Sequence, residues 1–154
     1  MKKAFRVLLW TLIILVALAV IGAVYVRNAN DDPKVWHKDP DGASRTGKLN
    51  QFVVTPMGGD KAMQSPVFDM SPADLMSKFQ AMALAQPDTI LLGDSNGFAT
   101  FVQRTNLVQF PDYISVKAVE VEGGSALFIN SRSRFCYSDS GVNKKRVLGW
   151  LKKL

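Results

Sequence analysis

The feature that most constrains this chain is an uncharged, largely apolar run of twenty residues, Val7 to Val26, near its N-terminus. As a helix, such a run would extend about 30 Å, which is the thickness of the hydrocarbon core of a bilayer. Three cations precede the run, and one, Arg27, follows it closely. By the positive-inside rule, we expect a single-pass segment in the inner (cytoplasmic) membrane. The N-terminus would then lie in the cytoplasm and the rest of the chain in the periplasm.

A cleaved signal peptide is the alternative interpretation of the same run. Ala17-Leu18-Ala19 matches the small-x-small pattern of a cleavage site. The apolar run continues beyond Ala19 to Val26, whereas the apolar region of a signal peptide usually spans only about 7–15 residues. The sequence therefore favours an uncleaved anchor. In both interpretations, residues 28–154 lie outside the cytoplasm.

The charge balance changes along the chain. The net charge is +6, but four of the nineteen cations lie in the first 27 residues, so residues 28–154 carry only +2. Within that part, residues 28–103 carry −3 and residues 104–154 carry +5. A basic C-terminal part could attract an anionic lipid or an acidic ligand, or it could simply be a solvated face. Nucleic acid is not expected as a partner outside the cytoplasm.

We predict three regions. Residues 1–27 form the cytoplasmic stub and transmembrane anchor, residues 28–50 a linker or irregular wrap, and residues 51–154 an exported globular domain. The second region contains prolines, glycines and many charges without apolar periodicity. Its Trp36 is expected to cover the edge of the core, because an indole is costly to leave in water.

Apolar periodicity and turn residues predict the elements of the globular domain. The longer central helix has Ser71 as its N-cap, Pro72 at its first position and Asp74 in its first turn. A change of apolar phase near Ala118 predicts a bulge in the strand around it. In chain order, we expect a strand at 51–55, a short strand at 66–70, a helix at 72–86, strands at 89–93, 98–104, 113–122 and 125–134, and an amphipathic helix from Val142 to the end.

This order predicts an α+β fold with a curved antiparallel sheet of four to five strands and two packed helices. Strand, helix, four strands and helix is the order of the TATA-binding-protein-like fold, and local turns make a meander that two helices can cover. The likeness concerns the fold alone and carries no function.

Several short motifs in the second half of the chain carry a family resemblance. They are Val102-Gln103-Arg104, Phe110-Pro111-Asp112, Ser131-Arg132-Ser133-Arg134, Ser138-Asp139, Gly141-Val142-Asn143-Lys144 and Arg146, with "WHKDP", "RTG" and "NQF" upstream. The chain resembles the membrane-anchored branch of the bacterial domain-of-unknown-function family 1499, over about residues 36–154. The resemblance implies no settled activity, cofactor or substrate. It argues against a thiol mechanism, because the family typically has glycine at the place of Cys136.

Three arginines are candidates for an anion-binding rim. Arg132 and Arg134 are two residues apart, so on an extended strand they point to the same face, which Asn130 shares. Arg104 ends another strand and could reach the same rim. The planar guanidinium suits carboxylate or phosphate groups. The alternative is that these arginines form structural salt bridges with Asp139, Asp112 or Glu120.

Asp139, Asn143 and Arg146 complete the candidate site. Asp139 precedes the last helix and could cap its amides or hold an arginine. Arg146 lies one turn beyond the start of that helix and could pair back with Asp139. Capping and pairing alone would explain these residues, so a structural role and a ligand site both remain open.

Other kinds of chemistry find little support in the sequence. His37 is the only histidine, so a Ser–His–Asp triad would need it carried onto the sheet beside a serine. One histidine and one cysteine are too few for a zinc site, and the glycines lack the lysine and helix of a phosphate cradle. We therefore predict no metal and no cofactor. Cys136 cannot form an intramolecular disulfide, since it is the only cysteine.

Three functions follow as hypotheses. The first is a binding or interaction module for an anionic or lipidic ligand or for an envelope partner. The second is an enzyme of unknown reaction that uses the Arg/Asp cluster. The third is a purely structural envelope protein.

Overall fold

The computed structural model describes residues 2–43 and 48–154. The "RTG" motif at 45–47 and the middle of the predicted linker lie outside the described residues. Helix α1, Lys2–Arg27, is the one helix in the described part that is long and apolar enough to cross a membrane. Its large apolar side chains are exposed along almost the whole length. A helix of this kind serves as a membrane anchor or as a signal sequence.

The rest of the described chain forms an α+β domain with a mixed six-stranded open sheet in the order β2-β1-β6-β5-β4-β3. All neighbouring strands are antiparallel except β1 and β2, which are parallel. The elements after α1 are α2 Pro33–Trp36, β1 Gln51–Thr55, β2 Met63–Gln64, α3 Pro72–Leu84, β3 Thr89–Ser95, β4 Phe98–Arg104, β5 Pro111–Val121, β6 Gly124–Ser133 and α4 Val142–Leu151.

The predicted sheet of four to five strands is therefore corrected to six, and the TATA-binding-protein-like arrangement is not confirmed. The predicted strand at 66–70 is wrong: Phe68 makes only an isolated bridge to Ser125. Pro66 has no N–H to give to a ladder, which limits pairing there. The additional strand is instead β2, two residues long, which pairs with the end of β1.

The predicted bulge near Ala118 is also wrong. Strands β5 and β6 pair without interruption from Asp112 to Val121. The sheet has its register shift in β3, between Leu91 and Gly93. The apolar phase can change along β5 because both faces of this sheet are covered, so neither face alone dictates the pattern.

The two longer helices of the domain cover one face of the sheet, as predicted. Ser71 caps α3 by accepting a hydrogen bond from the Asp74 amide, and Pro72 is its first residue. Phe79 of α3 is fully buried and contacts Phe101 of β4 and Trp150 of α4. These rings form the centre of the main apolar core, so the sheet and both helices share one core.

Residues 28–43, called the strap below, cover the opposite face of the sheet. Trp36 lies flat on Tyr113 of β5, with ring centroids 4.1 Å apart and an interplanar angle of 3°. His37 stacks on Phe98 of β4 at 4.1 Å. Trp36, which was expected to cover the edge of the core, thus covers the second face of the sheet.

Candidate functional site

The three predicted rim arginines lie on the sheet face that the strap covers. Arg132 and Asn130 alternate with Ser131 along β6, and Arg134 follows directly after that strand. Their common face, expected from the strand period of two, is confirmed by their contacts with the strap and with Gln51. Arg104, the last residue of β4, also points to the strap. The structure therefore brings the three arginines to one face, where each already has protein partners.

Arg104 fixes the beginning of the strap. Its guanidinium forms an ion pair with Asp31, with an Nη2–Oδ2 distance of 2.6 Å, and both side chains are less than one fifth exposed. It also donates to the carbonyl oxygens of Ala29 and Gln109, each at 3.0 Å. With three acceptors in place, this guanidinium acts as a clamp on the strap.

Arg132 holds the middle of the strap, and Arg134 binds its beginning. Arg132 donates to the Trp36 carbonyl oxygen at 2.6 Å and to the Ser115 hydroxyl at 3.2 Å. Arg134 donates to the Asn30 carbonyl oxygen at 2.8 Å, and its guanidinium lies 5.5 Å from the Trp36 ring. Burial lowers the pKa of Arg132 from 12.5 to about 10, so the side chain is still charged at neutral pH. Every rim arginine is thus engaged within the fold.

Tyr113 joins the strap to this arginine group through its hydroxyl. The hydroxyl donates to Asp31 Oδ1 at 2.7 Å and accepts a long hydrogen bond from Arg134 at 3.4 Å. Burial of the ring, followed by the hydrogen bond to Asp31, raises the pKa of Tyr113 from 10.0 to about 12. Asp31 therefore receives a cation from one side and a phenol from the other.

Asp139 and Asn143 lie on the opposite, helix-covered face of the sheet. Asp139 accepts hydrogen bonds from the Gly141 amide at 2.9 Å and the Asn143 amide at 2.7 Å. This confirms that Asp139 caps the start of α4. Asn143 is 1% exposed, and its side chain binds Ser131, Ser133 and the Asn50 carbonyl oxygen. The asparagine thus connects α4 to the ends of β1 and β6.

Arg146 pairs with Asp112 rather than with Asp139. The Nη2–Oδ2 distance is 2.6 Å, and the side chains of Arg146 and Asp112 are 7% and 4% exposed. Arg146 also donates to Gln103 Oε1 and, at 2.8 Å, to Asn143 Oδ1. The second oxygen of Asp112 accepts from the Ser133 hydroxyl at 2.5 Å. A buried polar network therefore joins β4, β5, β6 and α4 at one end of the sheet.

The six predicted residues accordingly form two groups on opposite faces of the sheet. Arg104, Arg132 and Arg134 hold the strap, whereas Asp139, Asn143 and Arg146 belong to the buried network. Among the described residues, no buried side-chain nitrogen or oxygen lacks a hydrogen-bond partner. The arrangement holds backbone segments in place through side-chain hydrogen bonds.

The sequence interpretation did not find Asp31 or Tyr113, and it named Asp112 only as a possible salt-bridge partner of the three rim arginines. Asp31 and Tyr113 complete the arginine group, and Asp112 with Ser133 completes the network. The sequence contained a pattern that could have predicted the network, but none for the arginine group. The serines of "SRSR" alternate with arginines, so on a strand they must face away from the arginines and toward the helices.

A Ser–His–Asp triad would need His37 on the sheet beside a serine, and the structure meets this part of the condition. The strap carries it onto the sheet, where Nε2 lies 3.0 Å from the Ser95 hydroxyl. Its Nδ1 lies 2.9 Å from the Thr100 hydroxyl, where a triad would have a carboxylate. Gly93 makes room for the imidazole, since a Cβ there would lie 3.0 Å from the ring. These contacts explain His37 as an anchor of the strap.

A cavity of about 180 Å³ opens beside the buried network. Its apolar wall contains Phe110, Phe135 and Val142, and its polar side contains Asp112 and Asp139. Cys136 also lines it, as a half-buried free thiol. We call this cavity the strand-end pocket, because it lies where β4 and β6 end and β5 begins. No cluster of three or more potential metal ligands occurs among the residues that the structure describes.

The Arg146–Asp112 pair yields a prediction about stability. Arg146→Met should lower the free energy of unfolding by about 3–5 kcal/mol, because it leaves the buried Asp112 carboxylate without its partner charge. Asp112→Asn combined with Arg146→Met should recover most of this loss, since no buried charge remains. Urea unfolding of the full chain in detergent, followed by circular dichroism, measures both. Equal stability of the single and double variants would contradict a buried ion pair.

The tyrosine in the strap contact yields a prediction about titration. The tyrosinate absorbance of the wild type and of Tyr113→Phe is measured as the pH is raised, and the difference between the two curves belongs to Tyr113. This difference should have its midpoint near pH 12. A raised folded-state pKa contributes stability that is complete below pH 10 and is lost as the pH rises through 12. Asp31→Asn should move the Tyr113 midpoint downward, because the hydrogen bond to the carboxylate contributes to the shift. An unchanged midpoint in Asp31→Asn would contradict the contact.

Comparison with known proteins identifies one family. The family model of DUF1499, described as a protein of unknown function, matches residues 28–154. No curated protein and no solved structure matches the chain. The match contains the strap, the sheet and both groups of site residues, and it omits only α1 and the residue before it. The chain belongs to the DUF1499 family.

Proposed function

We propose that the chain is a membrane-anchored domain on the periplasmic side of the inner membrane that binds a lipidic ligand in the strand-end pocket. The observation that carries the proposal is the pocket itself, with an apolar wall on one side and a fixed polar floor on the other. Ligand sites are typically concave and mostly apolar, with a few well-placed polar groups that orient the ligand.

The polar floor supports a neutral or hydroxylated head group rather than a free anion. Asp112 and Asp139 line the pocket, and the charge of Asp112 is already paired with Arg146. The hydroxyls of Thr105, Ser133 and Ser138 lie along the same lining. A ligand with an apolar portion against Phe110 and the polar portion at these hydroxyls fits this distribution.

The three rim arginines support a structural role, that of holding the strap, for the strap-covered face of the sheet. An anionic ligand that took over these guanidiniums would displace the Asp31 carboxylate and the strap carbonyl groups that they already engage. Such a displacement would also remove Trp36 from Tyr113. We therefore assign the proposed ligand to the pocket and the arginines to holding the strap.

The alternatives differ from this proposal in what they require. An enzyme based on the Arg/Asp cluster needs a carboxylate free to act, whereas Asp112 and Asp139 each hold two or more donors. A purely structural envelope protein needs no ligand in the pocket, so a pocket that never holds one would favour that function.

The proposed location can be tested with the full chain in cells. Protease added to spheroplasts should digest the domain without detergent, because the domain lies outside the cytoplasm. The intact mass should remain 17.0 kDa, since an uncleaved anchor retains residues 1–19. A mass lower by those residues would identify a signal peptide, and complete protection from protease would place the domain in the cytoplasm. A cytoplasmic protein that resists protease until the cells are lysed serves as the control.

The proposed ligand can be tested with a pocket-filling variant. Native mass spectrometry of the detergent-extracted full chain should show an added lipid mass on the wild type. Cys136→Trp should lose at least nine tenths of this adduct, because the indole occupies most of the cavity. Cys136→Ser, which keeps the side-chain size, should retain it.

Circular dichroism of both variants verifies that they fold. Equal occupancy in Cys136→Trp and Cys136→Ser would show that the lipid is bound elsewhere, and an absence of any adduct on the wild type would favour the structural function.

A further inference from the structure

We infer that the two loops next to the end of α1 form a membrane-contacting surface, which rests among the lipid head groups and fixes the domain against the bilayer. These contact loops are residues 105–110, between β4 and β5, and residues 134–141, between β6 and α4. The inference rests on the proposed membrane anchoring by α1 and on exposed side chains, and it does not depend on whether the pocket holds a ligand.

The last turn of α1 is docked on the contact loops. Val26 is 7% exposed although the α1 side chains before it are mostly exposed. The Arg27 guanidinium donates to the Leu107 carbonyl oxygen at 2.7 Å. The Tyr25 ring meets the Phe135 ring edge-on, with centroids 6.0 Å apart. The helix therefore enters the domain at these loops rather than through a long free linker.

This docking places the loops at the membrane surface. The uncharged run of α1 ends at Val26, and the first charge after it is Arg27. The boundary between hydrocarbon and head groups must lie near this point, because a twenty-residue run is about as long as the hydrocarbon core is thick. Tyr25 at the same level fits the preference of tyrosine for that boundary. Groups that touch Tyr25 and Arg27 are then within a few ångströms of the head groups.

The loops present apolar side chains to their surroundings at this level. Leu107 is 80% exposed and Tyr137 is 81% exposed, which are among the highest values for large hydrophobic residues of the domain. In water, the apolar surface of both side chains would stay exposed, which is unfavourable. In the interfacial layer, each side chain can bury its apolar part. Exposed apolar residues at the level of a membrane boundary indicate a lipid surface as their partner.

Cations next to the contact loops match the charge of an anionic bilayer. Lys144 and Lys145 lie in the first turn of α4, directly after the second loop, and both are exposed. Arg27 adds a third cation at the end of α1. Basic residues near an anionic surface are attracted to it. The surface thus combines apolar insertion with charge complementarity.

Depth measurements on the full chain in nanodiscs test this inference. The lipid is a mixture of phosphatidylethanolamine and phosphatidylglycerol, and the background is Cys136→Ser, so that single nitroxide labels can be placed at new cysteines. Leu107→Cys and Tyr137→Cys report on the contact loops. Glu122→Cys is the control, because ten residue steps of β5–β6 hairpin separate it from the loop end of the sheet, about 33 Å.

For each label, the measured quantity is the ratio of collisions with oxygen to collisions with a water-soluble nickel chelate. We expect this ratio to be severalfold higher at Leu107 and Tyr137 than at Glu122. A further Leu107→Asp substitution should move the Tyr137 label toward water, since a carboxylate opposes insertion. Water-like collision rates at all three positions, or no response to Leu107→Asp, would overturn the inference. Neither outcome bears on the lipid adduct of the pocket, which is measured separately in detergent.

Discussion

The flat contact between Trp36 and Tyr113 is the interaction on which the rest of the structure depends. A six-stranded sheet with helices on one face leaves its other face open, and here that face carries Tyr113, Thr100 and Ser115. A stacked indole covers the phenol ring, and the strap that carries it supplies carbonyl groups and a carboxylate for the arginines below. Without this segment, the guanidiniums would lose these acceptors, and the rings beneath it would be exposed to water. The strap and the arginines therefore stabilise each other.

The buried network at the end of the sheet provides the second constraint. Arg146 and Asp112 are both almost fully buried, and a buried pair of charges is favourable only when its remaining donors and acceptors are also satisfied. Gln103, Ser133 and Asn143 supply those partners from separate elements. The network therefore fixes how α4 meets the sheet, and with it the shape of the strand-end pocket. Gln103, Asp112, Ser133, Asn143 and Arg146, which come from motifs of the family resemblance far apart along the chain, meet in this network.

Much of the local structure could be predicted from the sequence because the responsible signals are local. The cap of α3 needs only Ser71, Pro72 and Asp74, and the four longer strands from β3 to β6 follow from apolar patterns and turn residues. The two-residue β2 and the bulge in β3 could not be found in this way. Strand β2 is defined by its pairing with β1, and the register shift in β3 by its pairing with β4. Both depend on residues outside the strand itself.

The sequence by itself determined that an apolar segment of membrane-spanning length precedes an α+β domain, and that Arg132 and Arg134 share a face. These properties follow from the length of an uncharged run and from the period of two in a strand. Only the tertiary structure decided what the arginines bind, that Arg146 pairs with Asp112 rather than Asp139, and that Trp36 covers a sheet face. The physical reason is that a buried charge or ring takes its partner from whichever element packs against it. That choice is made by the packing of the whole domain and not by spacing along the chain.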